Sequence, residues 1–336
     1  MELFKKTGYD PFIDYLKGVC IIFIIITHCT SSAMQHDMLF CLWGDMAVPL
    51  LLMLQVFQTY KRGLSEVKIN IRKTWNRIIY PFLLAELIAV VGLFLLSRGD
   101  WLVICEFGDI GPGAYYPYIY LQFMFLLYFL VPVFKKLNLM WLCVFFSVIS
   151  QILEYVSIYG HLSLDAYRLL FFRYTFLLFL GYLLICDKIK LNVQTITLSV
   201  ISIFCILTFE GSYWSFSELG GAKLFSSLFY MNGWRIFHWV SYPFVFFLLL
   251  PAVRWTYNLI VHTKFSAYLQ LCGKWSYEIF LFQLVFFAFN PVGIMMRHLG
   301  LDGILIDCML VIIDVLICTI PSILIKRYVQ FRKVHC

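Results

Sequence analysis

The chain is 336 residues long, 62% apolar and 19% aromatic, with only 13% charged residues and a net charge of +7. A water-soluble domain carries about 25% charge because its surface must be hydrated, so a mean hydropathy of +0.85 excludes an ordinary soluble globule. The positive balance does not point to nucleic acid, because the 26 Lys and Arg residues fall in short clusters between apolar runs, as membrane topology requires.

Windows of roughly 20 residues, the length that crosses a hydrocarbon core, predict ten spans. In chain order they cover 12–33, 38–60, 76–97, 115–134, 139–158, 168–186, 194–210, 235–254, 268–290 and 304–325. The first follows Lys5 and Lys6 without a small-residue cleavage site, so it reads as a retained span and not a signal peptide. Starting inside and alternating, twenty of the 26 cations fall on the cytoplasmic side, among them Lys17, Lys61, Arg62, Arg72, Lys73, Arg77, Lys135, Lys188 and Lys326. Only Arg98, Arg168, Arg173, Lys223, Arg235 and Arg297 fall outside. That asymmetry predicts an all-α, polytopic transmembrane bundle with both termini cytoplasmic. It is expected as one integral-membrane domain over 1–336. No segment between spans is long enough to form a soluble catalytic domain, so the chemistry must lie within or between helices. The eleven cysteines form no C-x-x-C pair and sit mostly in apolar runs; they read as small buried hydrophobes, with no metal site.

Polar groups at mid-span cost several kcal/mol in lipid and therefore face the bundle interior. Here they are His28 in the first span, Glu86 in the third, Arg173 in the sixth, Gln283 in the ninth and Asp314 in the tenth. Lys17 and His28 are eleven residues apart, which on a helix returns to within about 20° of the same face and separates them by about 16 Å along the axis. Asp14 lies one turn from Lys17 and can pair with it. Two readings of this face stand side by side. Lys17 can snorkel to headgroups while His28 bonds a neighbouring helix, or Lys17 can meet a phosphate while His28, with an ordinary pKa near 6.5, transfers a proton. Glu86, Arg173 and Asp314 can form a structural charge cluster or line a substrate path. Arg77, in RKTWNRIIYP (72–81), can be a topological anchor or an anion ligand, and Pro81 can bend that helix. Ser276, Phe280, Gln283 and Phe287 share a face of the ninth span, where Gln283 can bond another helix. Lys274 and Glu278, four apart, read as an exposed pair.

Taken together, these segments resemble membrane acyltransferase family 3, multi-span enzymes that acylate envelope glycans. FIDYLKGVCIIFIIITH (12–28) is similar to the family's first span, with its basic residue, ten-residue gap and His falling on Lys17 and His28. DMAVPLLLML (45–54) resembles the opening of the second span and RKTWNRIIYP the basic entry of the third. YYPYIYLQFMFLLYFLVPVF (115–134) resembles the Pro- and Tyr-rich fourth, FLLFLGYLL (176–184) the Gly-bearing span, and the resemblance runs on to WSYEIFLFQ (275–283). The chain departs from the pattern at Gln55 and Val56, where the family often has Ser-Gly. It departs again at Thr74, where a second arginine often precedes Arg77 by three, and at Gln283, where His is frequent.

The resemblance implies an integral-membrane O-acyltransferase moving an acyl group, acetyl foremost, from acetyl-CoA or another acyl-CoA to a hydroxyl of a glycan or glycolipid acceptor in the bilayer. On that reading Lys17, Arg72, Lys73 and Arg77 bind the donor's phosphates. His28 is the general base or briefly carries the acyl group. Glu86, Arg173, Gln283 and Asp314 contact substrate. Two rivals remain. A transporter or flippase would line an alternating-access path with the same charges, but it is expected to show internal repeats and paired broken helices, and the sequence has neither. In a membrane scaffold or sensor the buried polar groups would only cement packing.

Overall fold

A computed structural model describes residues 8–29, 46–60, 71–96, 115–134, 169–185, 192–205, 238–289, 291–292 and 304–335, with single positions between 138 and 160. All regular structure among the described residues is helical. Helices α1 (Pro11–Cys29), α2 (Ala47–Tyr60) and α3 (Ile71–Thr74) come first. A π-helical turn (Trp75–Ile79) leads from α3 into α4 (Tyr80–Leu95). After α5 (Tyr115–Phe134), a 3-10 turn (Phe171–Tyr174) precedes α6 (Thr175–Ile185), α7 (Val193–Cys205), α8 (His238–Ile260), α9 (Lys264–Lys274), α10 (Ser276–Phe289) and α11 (Ile304–His335). Most of the predicted fifth span, 139–158, lies outside the described residues.

Three described stretches, Pro11–Cys29, Arg72–Leu95 and Cys308–Val329, are long and apolar enough to cross a bilayer. The surface of α4 agrees with that setting: Leu83, Leu84, Leu87, Ile88, Val91 and Phe94 are exposed, a continuous apolar face that water would not tolerate and lipid favours. Its other face repeats every three to four residues, and Ala85, Ala89 and Leu93 pack against Leu281, Val285, Ala288 and Phe289 of α10. Along α11, Met309, Ile312, Leu316, Ile320 and Leu324 are likewise exposed, while Asp314, Cys318, Thr319 and Ser322 are buried on the opposite side.

The chain divides into two compact units. One comprises Pro11–Ser32, Ile69–Pro117 and Ile260–Cys336, and α1 is its centre. Pro11 opens α1, where its missing N–H costs nothing, and Asp14 in the first turn suits the positive helix end. The isoleucine-rich run that follows is a mediocre helix former in water, but hydrocarbon leaves the backbone no other partner than itself. Phe12, Ile13, Leu16, Cys20, Ile21, Ile24 and Ile25 are buried round most of the circumference, with α9, α10 and α11 as neighbours.

The predicted ninth span, 268–290, is not one helix. It breaks at Trp275, whose backbone leaves helical geometry and closes α9 by bonding the Leu271 and Gly273 carbonyls. Thr263 starts α9, its hydroxyl accepting from the Ser266 N–H at 3.2 Å as an N-cap. Apolar composition alone made 268–290 look continuous, whereas α9 is amphipathic: Leu269, Cys272 and Gly273 are buried and Lys264, Phe265 and Lys274 exposed.

The other unit comprises Met1–Asp10, Ala33–Lys68 and Tyr118–Leu259. Among its described helices α2 packs on α6, with Met53 and Val56 against Gly181 and with Phe57, Leu177, Leu180 and Leu184 also buried. A methyl group on Gly181 would lie 2.7 Å from Val56, so glycine is required there for close approach. Gln122 of α5 organises the entry to α6: its Nε2 donates to the Leu169 carbonyl at 2.6 Å and its Oε1 accepts from the Phe171 N–H at 2.8 Å.

Candidate functional site

Most of the polar candidates fall in the unit centred on α1, at two levels. At the first, Lys17 Nζ is 3.5 Å from Asp14 Oδ1, with both side chains largely buried. Glu278, in the first turn of α10, is near enough to act on Lys17 electrostatically, and its Oε1 is 2.9 Å from Lys326 Nζ of α11. Charges thus alternate across three helices, and the ion pair between α10 and α11 is the one that joins two of them. The expected Asp14–Lys17 pair is present, but the expected Lys274–Glu278 pair is not. The break at Trp275 removes the unbroken helix that four-residue pairing needs. Lys274 instead lies 5.3 Å from the centre of the Trp275 ring, and the sequence held no local signal for Lys326 as the partner of Glu278.

Arg72, Lys73 and Arg77 are exposed on the segment that enters α4, beside this first level. That segment is not regular α-helix. In an α-helix the N–H of residue 81 would bond the Arg77 carbonyl, but Pro81 has no N–H and its ring would strike that carbonyl. The backbone answers with a wider turn, in which the Tyr80 N–H bonds back five residues to the Trp75 carbonyl. Tyr277 of α10 donates its hydroxyl to the Ile78 carbonyl at 2.8 Å. Tyr277 and Glu278, adjacent in sequence, therefore connect the basic π turn on one side with Lys17 and Lys326 on the other.

Eleven residues further along α1 is the second level. The His28 ring meets Phe287 of α10 edge-on, with centroids 6.0 Å apart. Since Lys17 faces Glu278 and His28 faces Phe287, α1 and α10 run in the same direction. One turn before Phe287, Gln283 is 0% exposed, and neither its Nε2 nor its Oε1 has a hydrogen-bond partner among the described residues. Asp314 of α11 is also buried, with its Oδ1 without a partner among the described residues. The Cys29 thiol lies against the Asp314 carboxyl but donates to the Ile25 carbonyl at 2.9 Å. An unsatisfied polar atom in an apolar interior costs about 1–3 kcal/mol, so the Gln283 amide and the Asp314 carboxyl are each a point at which a polar ligand would be stabilised. Among the described residues, the helix-to-helix bond open to Gln283 on sequence is not made.

Two candidates remain, Glu86 and Arg173. Glu86 is half-buried on α4 beside the stripe that packs on α10. Arg173 lies in the 3-10 turn clasped by Gln122, within the other compact unit. Of the cysteines read as buried hydrophobes, Cys20, Cys272 and Cys318 are buried, Cys29 is partly so and Cys308 is exposed.

The sequence profile of an acyltransferase domain, that of acyltransferase family 3, matches residues 10–325, nearly the whole chain. No curated protein and no solved structure matches it.

Proposed function

This chain belongs to acyltransferase family 3 and is a membrane acyltransferase, and from that premise we propose that it takes an acyl group, acetyl in the simplest case, from a cytoplasmic acyl-coenzyme A and delivers it to a hydroxyl of an envelope polysaccharide or glycolipid. The whole chain acts as one catalytic domain in the inner membrane, with both termini cytoplasmic.

The observation that carries this reading is the two-level arrangement on α1. Cations collect at one end: exposed Arg72, Lys73 and Arg77 beside the level of Lys17. A titratable imidazole stands at the other, about 16 Å along the same helical face. Phosphates of the donor bind at the first level through charge-assisted hydrogen bonds. The exposed arginines supply most of that contact, and Lys17, already flanked by Asp14 and Glu278, reaches a phosphate while sharing its charge with them. The pantetheine arm then carries the thioester to the second level.

There His28 accepts the proton of the acceptor hydroxyl as its oxygen attacks the thioester carbonyl carbon. The tetrahedral adduct collapses, the carbon–sulfur bond breaks, and the proton held on His28 passes to the departing thiolate. Gln283 and Asp314 contact the substrates at this level, and the Gln283 Nε2 is a donor suited to the developing oxyanion. Glu86 binds the acceptor.

Purified protein incubated with labelled acetyl-CoA tests the proposal. Release of free coenzyme A and transfer of label to an envelope glycan extract are expected. A transporter or scaffold would consume no thioester, and intact acetyl-CoA after incubation with folded protein would overturn the reading. Loss of O-acetyl groups from the envelope glycans of a deletion strain would identify the acceptor.

A further inference from the structure

The π turn at Trp75–Ile79 is a costly conformation in a helix that enters a membrane, and two residues outside it hold it in place. Pro81 forbids the α register, as described above. The Tyr277 hydroxyl donates to the Ile78 carbonyl, 2.8 Å away, and so ties a carbonyl of the turn itself to α10. Because a π turn inserts one residue, side chains before it are rotated by about 100° relative to an uninterrupted α-helix. Arg72 and Lys73 precede the turn and Arg77 lies within it, so the direction of all three relative to the α10-facing side of α4 depends on this turn.

We propose that Tyr277 is a positioning residue for the acyl donor: its hydroxyl holds the π turn in the register that aims Arg77 at the donor's phosphates. The proposal rests on the reading of Arg77 as a donor ligand. Tyr277 does not touch the donor and takes no part in proton transfer. Its ring, stacked on Phe280 with centroids 6.0 Å apart, is packing that phenylalanine can keep, so only the hydroxyl is at issue.

The test measures binding of labelled acetyl-CoA and the steady-state kinetics of its turnover by the full-length purified protein. Tyr277→Phe should raise the donor Kd and KM roughly three- to tenfold, the equivalent of one neutral hydrogen bond, with kcat within about twofold. A purely structural loss would lower the amount of active protein and kcat without moving donor KM. Pro81→Ala, which restores the N–H and admits the α register, should raise donor KM in the same direction. In an Arg77→Ala background, Tyr277→Phe should add nothing to donor KM, because the group it aims is gone. If Arg77→Ala raises donor KM but Tyr277→Phe and Pro81→Ala do not, the positioning role is refuted and the donor site stands. If Arg77→Ala also leaves donor KM unchanged, both fall.

Discussion

Gly18 of α1 and Gly273 of α9 face each other where the two helices cross, and neither position has room for a methyl group. A Cβ on Gly18 would overlap the Leu269 carbonyl oxygen, and one on Gly273 would overlap the Asp14 carbonyl oxygen. In a bilayer, where lipid tails are as apolar as leucine, such backbone contact is the means by which helices adhere. It also fixes the rotation of α1, and with it the directions of Lys17 one residue earlier and of His28.

Gly18→Ala should therefore destabilise the protein by about 1–3 kcal/mol, the usual cost of overpacking a close-packed site, or abolish folding where the backbones cannot part. Thermal unfolding in detergent, followed by size-exclusion profile, measures this. An unchanged midpoint for Gly18→Ala and Gly273→Ala together would show that the crossing is looser than described.

Gln283 makes the opposite case. Its amide has no partner among the described residues to lose, so Gln283→Leu removes an unsatisfied buried group and should leave the thermal midpoint unchanged or raise it. If the amide serves the substrate or the oxyanion, acyl transfer should nevertheless fall by about 10²-fold. A large stability loss would instead reveal a structural partner for the amide.

The two levels were partly legible in the sequence, for physical reasons that differ from residue to residue. The common face of Lys17 and His28 follows from helical periodicity, which an unbroken 19-residue α1 preserves. The burial of Gln283 and Asp314 follows from the cost of polar groups in lipid. Local spacing pairs Glu278 with Lys274, whereas its partner in the structure, Lys326, comes from another helix, and local spacing carries no information about such pairs. Pro81 announced a bend, but whether a proline is absorbed by a kink or by a π turn depends on what lies opposite, here the Tyr277 hydroxyl. Glycine at 18 and 273 signals close approach only once the helices that approach are known.

The topology expected from the charge asymmetry can be read by single-cysteine labelling in a cysteine-free background. Positions Asp109, Lys188 and Ser217 lie outside the described residues. Cysteines at Asp109 and Ser217 should react with an impermeant reagent applied to intact cells, and one at Lys188 should not. Reaction at Lys188 would contradict the ten-span arrangement with cytoplasmic termini.

Arg77→Ala should weaken donor use more than it weakens folding, since the side chain is exposed and makes no packing contribution that alanine would expose. A charge-assisted bond to phosphate is worth about 1.5–3 kcal/mol, so donor KM should rise roughly ten- to a hundred-fold. Normal expression with unchanged dependence on acetyl-CoA would return Arg77 to the role of topological anchor.

Lys17 and His28 separate the catalytic reading from the packing reading most sharply, because they occupy one helix at the two levels. The imidazole of His28 touches Phe287 edge-on, a contact that a glutamine of similar reach can keep in part while retaining hydrogen-bonding capacity. If His28 only packs, His28→Gln should insert, fold and keep most activity. If it is the proton acceptor, the same change removes the one group among the described second-level residues whose ordinary pKa suits a general base, and transfer should fall by at least about 10²-fold while acetyl-CoA still binds. Lys17→Ala should fail differently. It leaves Asp14 and Glu278 without the cation between them and weakens donor capture about 16 Å from the reacting carbonyl, so donor affinity should fall with little change in the rate at saturating donor. A covalent acyl group trapped on His28 would replace the general-base assignment with an acyl-carrier one. Near wild-type transfer by His28→Gln at matched expression would remove His28 from the mechanism altogether.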